Sequence, residues 1–265
     1  MSGDEVFALL LAGGLAVWTW VKWYLSTVSV SRLGAPAPGK ATMSWWPLVC
    51  AAVLFAVLKT AASFDVRDDI VYLTFYMVLG AGWLGVTLKL LPVAGISPRD
   101  DILERGNGAA VPAVAGALLG FTLCFAGANV GDGPGWGVVV FSAMTASATL
   151  AVLWLLFDRW TGVSETITVE RDAAAGLRLG ALLTAAGLIL GRAVAGDWVS
   201  AMATWRDFVV FGWPVVVLFA TAIIVERSLR PTQDNPSRRL ATAGIAPAVL
   251  FLAAAIAYVV RLGAA

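Results

Sequence analysis

The chain contains no histidine, two cysteines and only 13% charged residues among its 265. Without histidine there is no imidazole base, no usual haem ligand and no commonest zinc ligand. Cys50 and Cys124 both lie inside apolar runs, where they read as small hydrophobes rather than a disulfide or redox pair. No aspartate or glutamate falls in the middle of an apolar run. That counts against a proton- or sodium-coupled transporter, which usually carries an intramembrane acid. No nucleophile–base set or acid pair is legible, so an enzyme is the least supported reading, and neither cofactor nor metal is expected. A net charge of +1 leaves no electrostatic case for nucleic acid.

Apolar residues, in contrast, make up 60% of the chain. A soluble domain could not bury that much apolar surface, so the bilayer is expected as solvent. About eight stretches have the roughly twenty-residue length a bilayer requires: Val6–Val28, Met43–Ala62, Ile70–Leu91, Asn107–Asn129, Trp136–Phe157, Ala173–Ala195, Trp205–Val225 and Ala241–Leu262. The expected fold is therefore all-α, a polytopic membrane protein of about eight transmembrane helices. The first stretch follows Asp4 and Glu5 with no basic leader, and reads as a crossing helix rather than a cleavable signal.

Tryptophan and tyrosine cluster near span ends, as in Trp18/Trp20/Trp23/Tyr24, Trp45/Trp46, Trp154/Trp160 and Trp198/Trp205. They are expected to be interfacial anchors. Lys22, Arg32, Lys40, Lys89, Arg99, Arg105, Arg159, Arg171, Arg178, Arg227, Arg230, Arg238 and Arg239 fall on one side of the membrane. Only Lys59, Arg67, Arg192, Arg206 and Arg261 fall on the other. The positive-inside rule makes the first side cytoplasmic and puts both termini outside. The links are short and leave no room for a soluble domain.

One phrase recurs at the start of three spans. It reads Glu104-Arg105-Gly106-Asn107-Gly108-Ala109-Ala110, Glu170-Arg171-Asp172-Ala173-Ala174-Ala175-Gly176 and Arg238-Arg239-Leu240-Ala241-Thr242-Ala243-Gly244. A period of about 66–68 residues makes the unit a membrane hairpin, repeated in tandem. Its acids can satisfy the unpaired N–H groups of a helix start. Its arginines can pair with those acids, anchor the positive-inside face, or hold lipid phosphate or a partner protein. Capping and docking both remain open; the docking set is Glu104, Arg105, Asn107, Glu170, Arg171, Arg238 and Arg239.

Beyond the phrase come small residues at four-residue spacing: Gly116/Gly120, Gly176/Gly180, Gly187/Gly191 and Ala253/Ala257. Such spacing lets helix backbones approach closely. The even-numbered spans are thus expected to form the packed centre, and self-association is plausible on these faces. Arg178 lies on the same face as Arg171, within the sixth span. Snorkelling to the cytoplasmic interface is one reading; an interior cation paired with a carbonyl or a substrate anion is the other. Lys22, Lys59, Lys89 and Arg192 lie nearer span ends and read as snorkelling. Pro112, Pro214 and Pro247 are expected to tilt helix starts.

Ile96-Ser97-Pro98, Ile102 through Ala110, and Ala115-Gly116-Ala117-Leu118-Leu119-Gly120-Phe121, with Trp136-Gly137, resemble the core of the YjfL-type family. These are small bacterial inner-membrane proteins built around a domain of unknown function. Ile167 through Gly176 resembles the second half of the family unit. The likeness covers about 70–198 as a four-span core, with 1–69 and 199–265 as diverged extra copies. Departures occur at Leu123-Cys124-Phe125, where the family often has Ile-Pro-Leu, and at Ala173, where many members carry asparagine. The resemblance implies a multi-pass inner-membrane protein of unknown activity, in a setting tied to envelope stress.

Two functions follow. The first is a non-enzymatic scaffold whose cytoplasmic arginines engage membrane lipid or a peripheral protein. The alternative is a passive channel or transporter for a small solute, lined by the small-residue spans with Thr122, Asn129, Ser142, Thr145, Ser147 and Thr149.

Overall fold

The structure, a computed structural model, describes residues 1–29, 39–231 and 239–263. Eight of its helical segments are long and apolar enough to cross a membrane: Gly3–Ser29, Lys40–Ala61, Ile70–Val93, Ala110–Gly127, Trp136–Thr161, Ala173–Ala193, Ala201–Leu229 and Ala241–Leu262. In chain order the α-helices are α1 (Gly3–Ser29), α2 (Lys40–Ala61), α3 (Phe64–Asp68), α4 (Ile70–Thr87), α5 (Leu90–Val93), α6 (Ala110–Gly127) and α7 (Trp136–Thr161). They continue with α8 (Val163–Thr168), α9 (Ala173–Ala193), α10 (Ala201–Gly212), α11 (Pro214–Leu229) and α12 (Ala246–Leu262). π-Helical turns at Pro98–Glu104 and Ala241–Ile245 precede α6 and α12. Among the described residues there is no strand, only an isolated bridge between Ala62 and Gly131.

Local chemistry sets the breaks. Asp69, Asp172 and Ser200 accept backbone N–H bonds from Val71, Ala174 and Ala203, capping α4, α9 and α10. Pro214 opens α11 and Pro247 sits in the first turn of α12, where a missing N–H costs nothing. The seventh span is therefore two helices, α10 and α11, meeting at Trp213.

The bundle has two distinct ends. At one, Trp136 Nε1 donates to Asp4 at 3.2 Å, the Gly196 N–H to the Val130 carbonyl at 3.0 Å, and Arg192 Nε to the Gly263 carbonyl at 3.2 Å. Both described chain termini thus share that end with the turns after α6 and α9. The arginine-bearing turns before α6, α9 and α12 gather at the other.

α6 and α9 are the most buried spans and start from the same end, running parallel. The expectation of a centre built from all even-numbered spans is corrected: α2 and α12 expose Trp45, Leu48, Val49, Val249, Leu250 and Val260 on the outside. So many large apolar side chains facing outward require an apolar solvent. Several tryptophans also depart from a simple anchoring role. Trp18, Trp45, Trp160 and Trp205 are exposed as belts require, but Trp154 is fully buried, and its Nε1 has no partner among the described residues. Trp20, Trp23, Trp46 and Trp83 staple helices, donating to Ala81, Met43, Ala115 and Ser147 respectively.

Candidate functional site at the arginine-bearing end

The turns before α6 and α9 share one backbone plan. Asn107 N–H donates to the Asp101 carbonyl at 2.8 Å, and Asp172 N–H to that of Thr166 at 3.1 Å. One residue earlier, Gly106 and Arg171 both take the left-handed conformation, with φ of 60° and 57°. Asn107 Oδ1 accepts from the Ala109 N–H at 3.0 Å, as Asp172 Oδ1 accepts from Ala174 at 2.9 Å. The geometry therefore pairs Gly106 with Arg171 and Asn107 with Asp172, one position away from the alignment that matches the two arginines. The third phrase differs. Its Arg239 carbonyl accepts from Thr242 and Ala243 as the chain enters a π-helical turn.

The docking residues named from the sequence fall as follows. Arg99 and Glu104 pair at 2.9 Å, both well exposed. Arg105 reaches the buried Asp101 at 3.3 Å, while Arg171 donates to the Arg105 carbonyl at 3.4 Å, linking the two turns. Glu170 and Glu165 hold Arg230 at 3.2 and 3.9 Å. Asn107 is buried, and its amide donates to the Ile167 carbonyl at 2.7 Å, joining the second turn to the first. Arg239 is exposed. Arg238 lies outside the described residues. Neither Arg171 nor Arg239 has a carboxylate partner among the described residues.

Arg178 does not snorkel. It is 2% exposed and makes a two-point ion pair with Glu226, Nε to Oε2 at 2.6 Å and Nη2 to Oε1 at 2.7 Å. Its Nη1 donates to the Ala243 carbonyl, and Asp172 lies 3.8 Å away. Every arm of the guanidinium is thus spent inside the protein, and one side chain joins α9, α11 and the third phrase. Glu226, also 2% exposed, is the residue that sequence reading missed. The apolar run in the sequence stops at Val225, but α11 continues to Leu229 and carries the acid inward. A lone acid closing one run and a lone arginine inside another was the available signal.

Deeper in the bundle, the glycines named from the sequence form one seam. A Cβ at Gly116 would strike Gly180, at Gly180 Pro112, at Gly120 Leu183, at Gly187 Gly120, at Gly191 Leu123 and at Gly176 Ala109, in each case on a carbonyl oxygen. Gly127 against Gly191 extends the contact. Backbones touch along the whole pair, so no solute fits between α6 and α9. The polar side chains proposed as pathway lining are largely satisfied locally: Thr122, Asn129, Thr145 and Thr149 each donate to the carbonyl four residues earlier. Ser147 accepts from Trp83. Among the described residues no cluster of three or more acids and thiols could hold a metal ion.

Residues 65–190, from α3 into α9, match the family model described as Domain of Unknown Function (DUF350). No curated protein and no solved structure matches the chain.

Proposed function

We propose that this multi-pass membrane protein, whose matched domain has no assigned activity, is a non-enzymatic scaffold whose arginine-bearing end docks anionic lipid headgroups or a peripheral protein. In this reading it is built from tandem helical hairpins and resides in the bacterial inner membrane. Both termini lie outside, and the arginine-bearing end is cytoplasmic. The YjfL-type resemblance adds envelope stress as the physiological setting.

One observation carries the proposal. Arg171 and Arg239 stand exposed at the same end as Arg105, with no carboxylate partner among the described residues, on a bundle whose central helices touch backbone to backbone. Exposed guanidinium groups without acids are ready donors for phosphate or carboxylate. The interior cation that could have marked a pathway is instead consumed by Glu226.

The test is the combined Arg105→Gln, Arg171→Gln and Arg239→Gln variant. A scaffold loses co-purifying partners or binding to anionic vesicles while remaining folded and inserted. Unchanged binding together with altered solute flux in liposomes would instead support the passive-channel reading.

A further inference from the structure

α1 and α4 cross tightly and then part. A Cβ at Gly82 would press on the Ala12 backbone, and one at Gly85 on the Thr19 side chain. Past that crossing α4 ends at Thr87, while α1 continues to Ser29. On its other flank α1 is tied to the start of α2, Trp23 donating to the Met43 carbonyl at 2.9 Å and Tyr24 to that of Ser44 at 3.2 Å. Between these elements and the π-helical turn at Pro98–Glu104 lies a crevice of about 1180 Å³. That exceeds the roughly 300–1,000 Å³ typical of small-ligand pockets.

Its chemistry is graded. Lys22 from α1 and Lys89, between α4 and α5, both approach the Trp18 ring, with Nζ 5.7 and 4.2 Å from its centroid. Neither lysine has a carboxylate partner among the described residues. Among the described residues Asp100 is the single carboxylate on the wall, and Arg99 is held by Glu104. Two ammonium groups near one ring, neither with a carboxylate partner among the described residues, form a cationic end to the crevice that favours an anion. Away from this end the wall becomes apolar, through Val21 and Val17 to Gly14 and Gly13. Among the described residues nothing approaches within 4 Å of where a Gly14 Cβ would be. A second hollow of about 360 Å³ shares Gly13 and Val17 and is lined by Phe55, Leu73 and Met77.

We propose that this crevice is a specific site for an anionic phospholipid, its phosphate held by Lys22 and Lys89 and its acyl chains laid along the Gly13–Val17 face of α1. A soluble phosphate would use the cations but leave the apolar floor empty; a phospholipid matches both. Basic pockets between membrane helices recognise lipid headgroups by this chemistry. The site uses none of Arg105, Arg171 or Arg239, so it stands or falls separately from the scaffold proposal.

The test is native mass spectrometry of the purified full chain titrated with phosphatidylglycerol or phosphatidylcholine. Wild type should retain phosphatidylglycerol on the order of tenfold better, as two lysines at a lipid surface imply. The Lys22→Gln/Lys89→Gln pair should abolish that preference, while Lys59→Gln/Arg206→Gln keeps it. Gly14→Phe, whose Cβ meets open space on the crevice wall, should lower retention of both lipids with the melting temperature intact. Equal retention of the two lipids by wild type, an unchanged preference in the lysine variant, unchanged retention in Gly14→Phe, or displacement of the lipid by millimolar inorganic phosphate would overturn the assignment.

Discussion

Arg178 and Glu226 meet in a bidentate pair at 2.6 and 2.7 Å, although 48 residues separate them in the chain. Both are sealed from solvent, so removing one strands a buried charge. Breaking such a pair typically costs about 3–5 kcal/mol, whereas replacing both partners by well-packed apolar groups is often neutral. Arg178→Leu and Glu226→Leu should each strongly lower the unfolding midpoint in detergent. The double variant Arg178→Met/Glu226→Leu should recover most of the loss. A well-tolerated Arg178→Leu would show that the pair does not hold the bundle.

The glycine seam should discriminate sharply among glycines. Gly180→Val forces a side chain onto the Pro112 carbonyl and should destabilise by about 1–3 kcal/mol or more, the cost of overpacking. Gly137→Ala, in α7 with nothing within 4 Å, should be neutral or stabilising by about 0.5–1 kcal/mol, since glycine is the poorer helix former. Denaturant titration of the two variants side by side checks the contrast.

Asn107 bridges the first two turns through its amide bond to Ile167 and its cap on Ala109. Asn107→Leu removes both bonds and leaves a buried carbonyl without its partner, a loss of about 1–3 kcal/mol. Limited proteolysis should then cut first near the turns at 94–109 and 162–172.

Arg171 offers a way to separate stability from the proposed docking. At φ 57° an L-residue carries a steric cost of about 1–2 kcal/mol that glycine escapes, and its bond to the Arg105 carbonyl is long at 3.4 Å. Arg171→Gly should therefore leave the melting temperature unchanged or raised while weakening binding to anionic vesicles. The converse Gly106→Ala should destabilise by about 1 kcal/mol.

Much of this was legible from the sequence. Span length and apolar content located the eight helical segments that, among the described residues, are long and apolar enough to cross a membrane, because a bilayer imposes one length on every helix. Four-residue glycine spacing pointed to Gly116, Gly120, Gly180, Gly187 and Gly191, since a helix puts such positions on one stripe. What escaped depended on adjacency and backbone conformation. Glu226 had no visible role until α11 was seen beside α9. The relation of Asn107 to Asp172, rather than to Ala173, is set by a left-handed residue that tolerates either glycine or arginine. Trp154 looked like a belt residue because its neighbours Arg159 and Trp160 mark a span end, yet it points into the core.

In the proposed topology the arginine-bearing turns share one membrane face, and that face is cytoplasmic. Single cysteines placed at Arg105, Arg171 and Arg239, with Cys50 and Cys124 replaced by alanine, test it directly in intact cells. All three should react with a membrane-permeant maleimide and none with an impermeant one until the membrane is opened. Labelling of any one of them from outside, while the others stay protected, would contradict it.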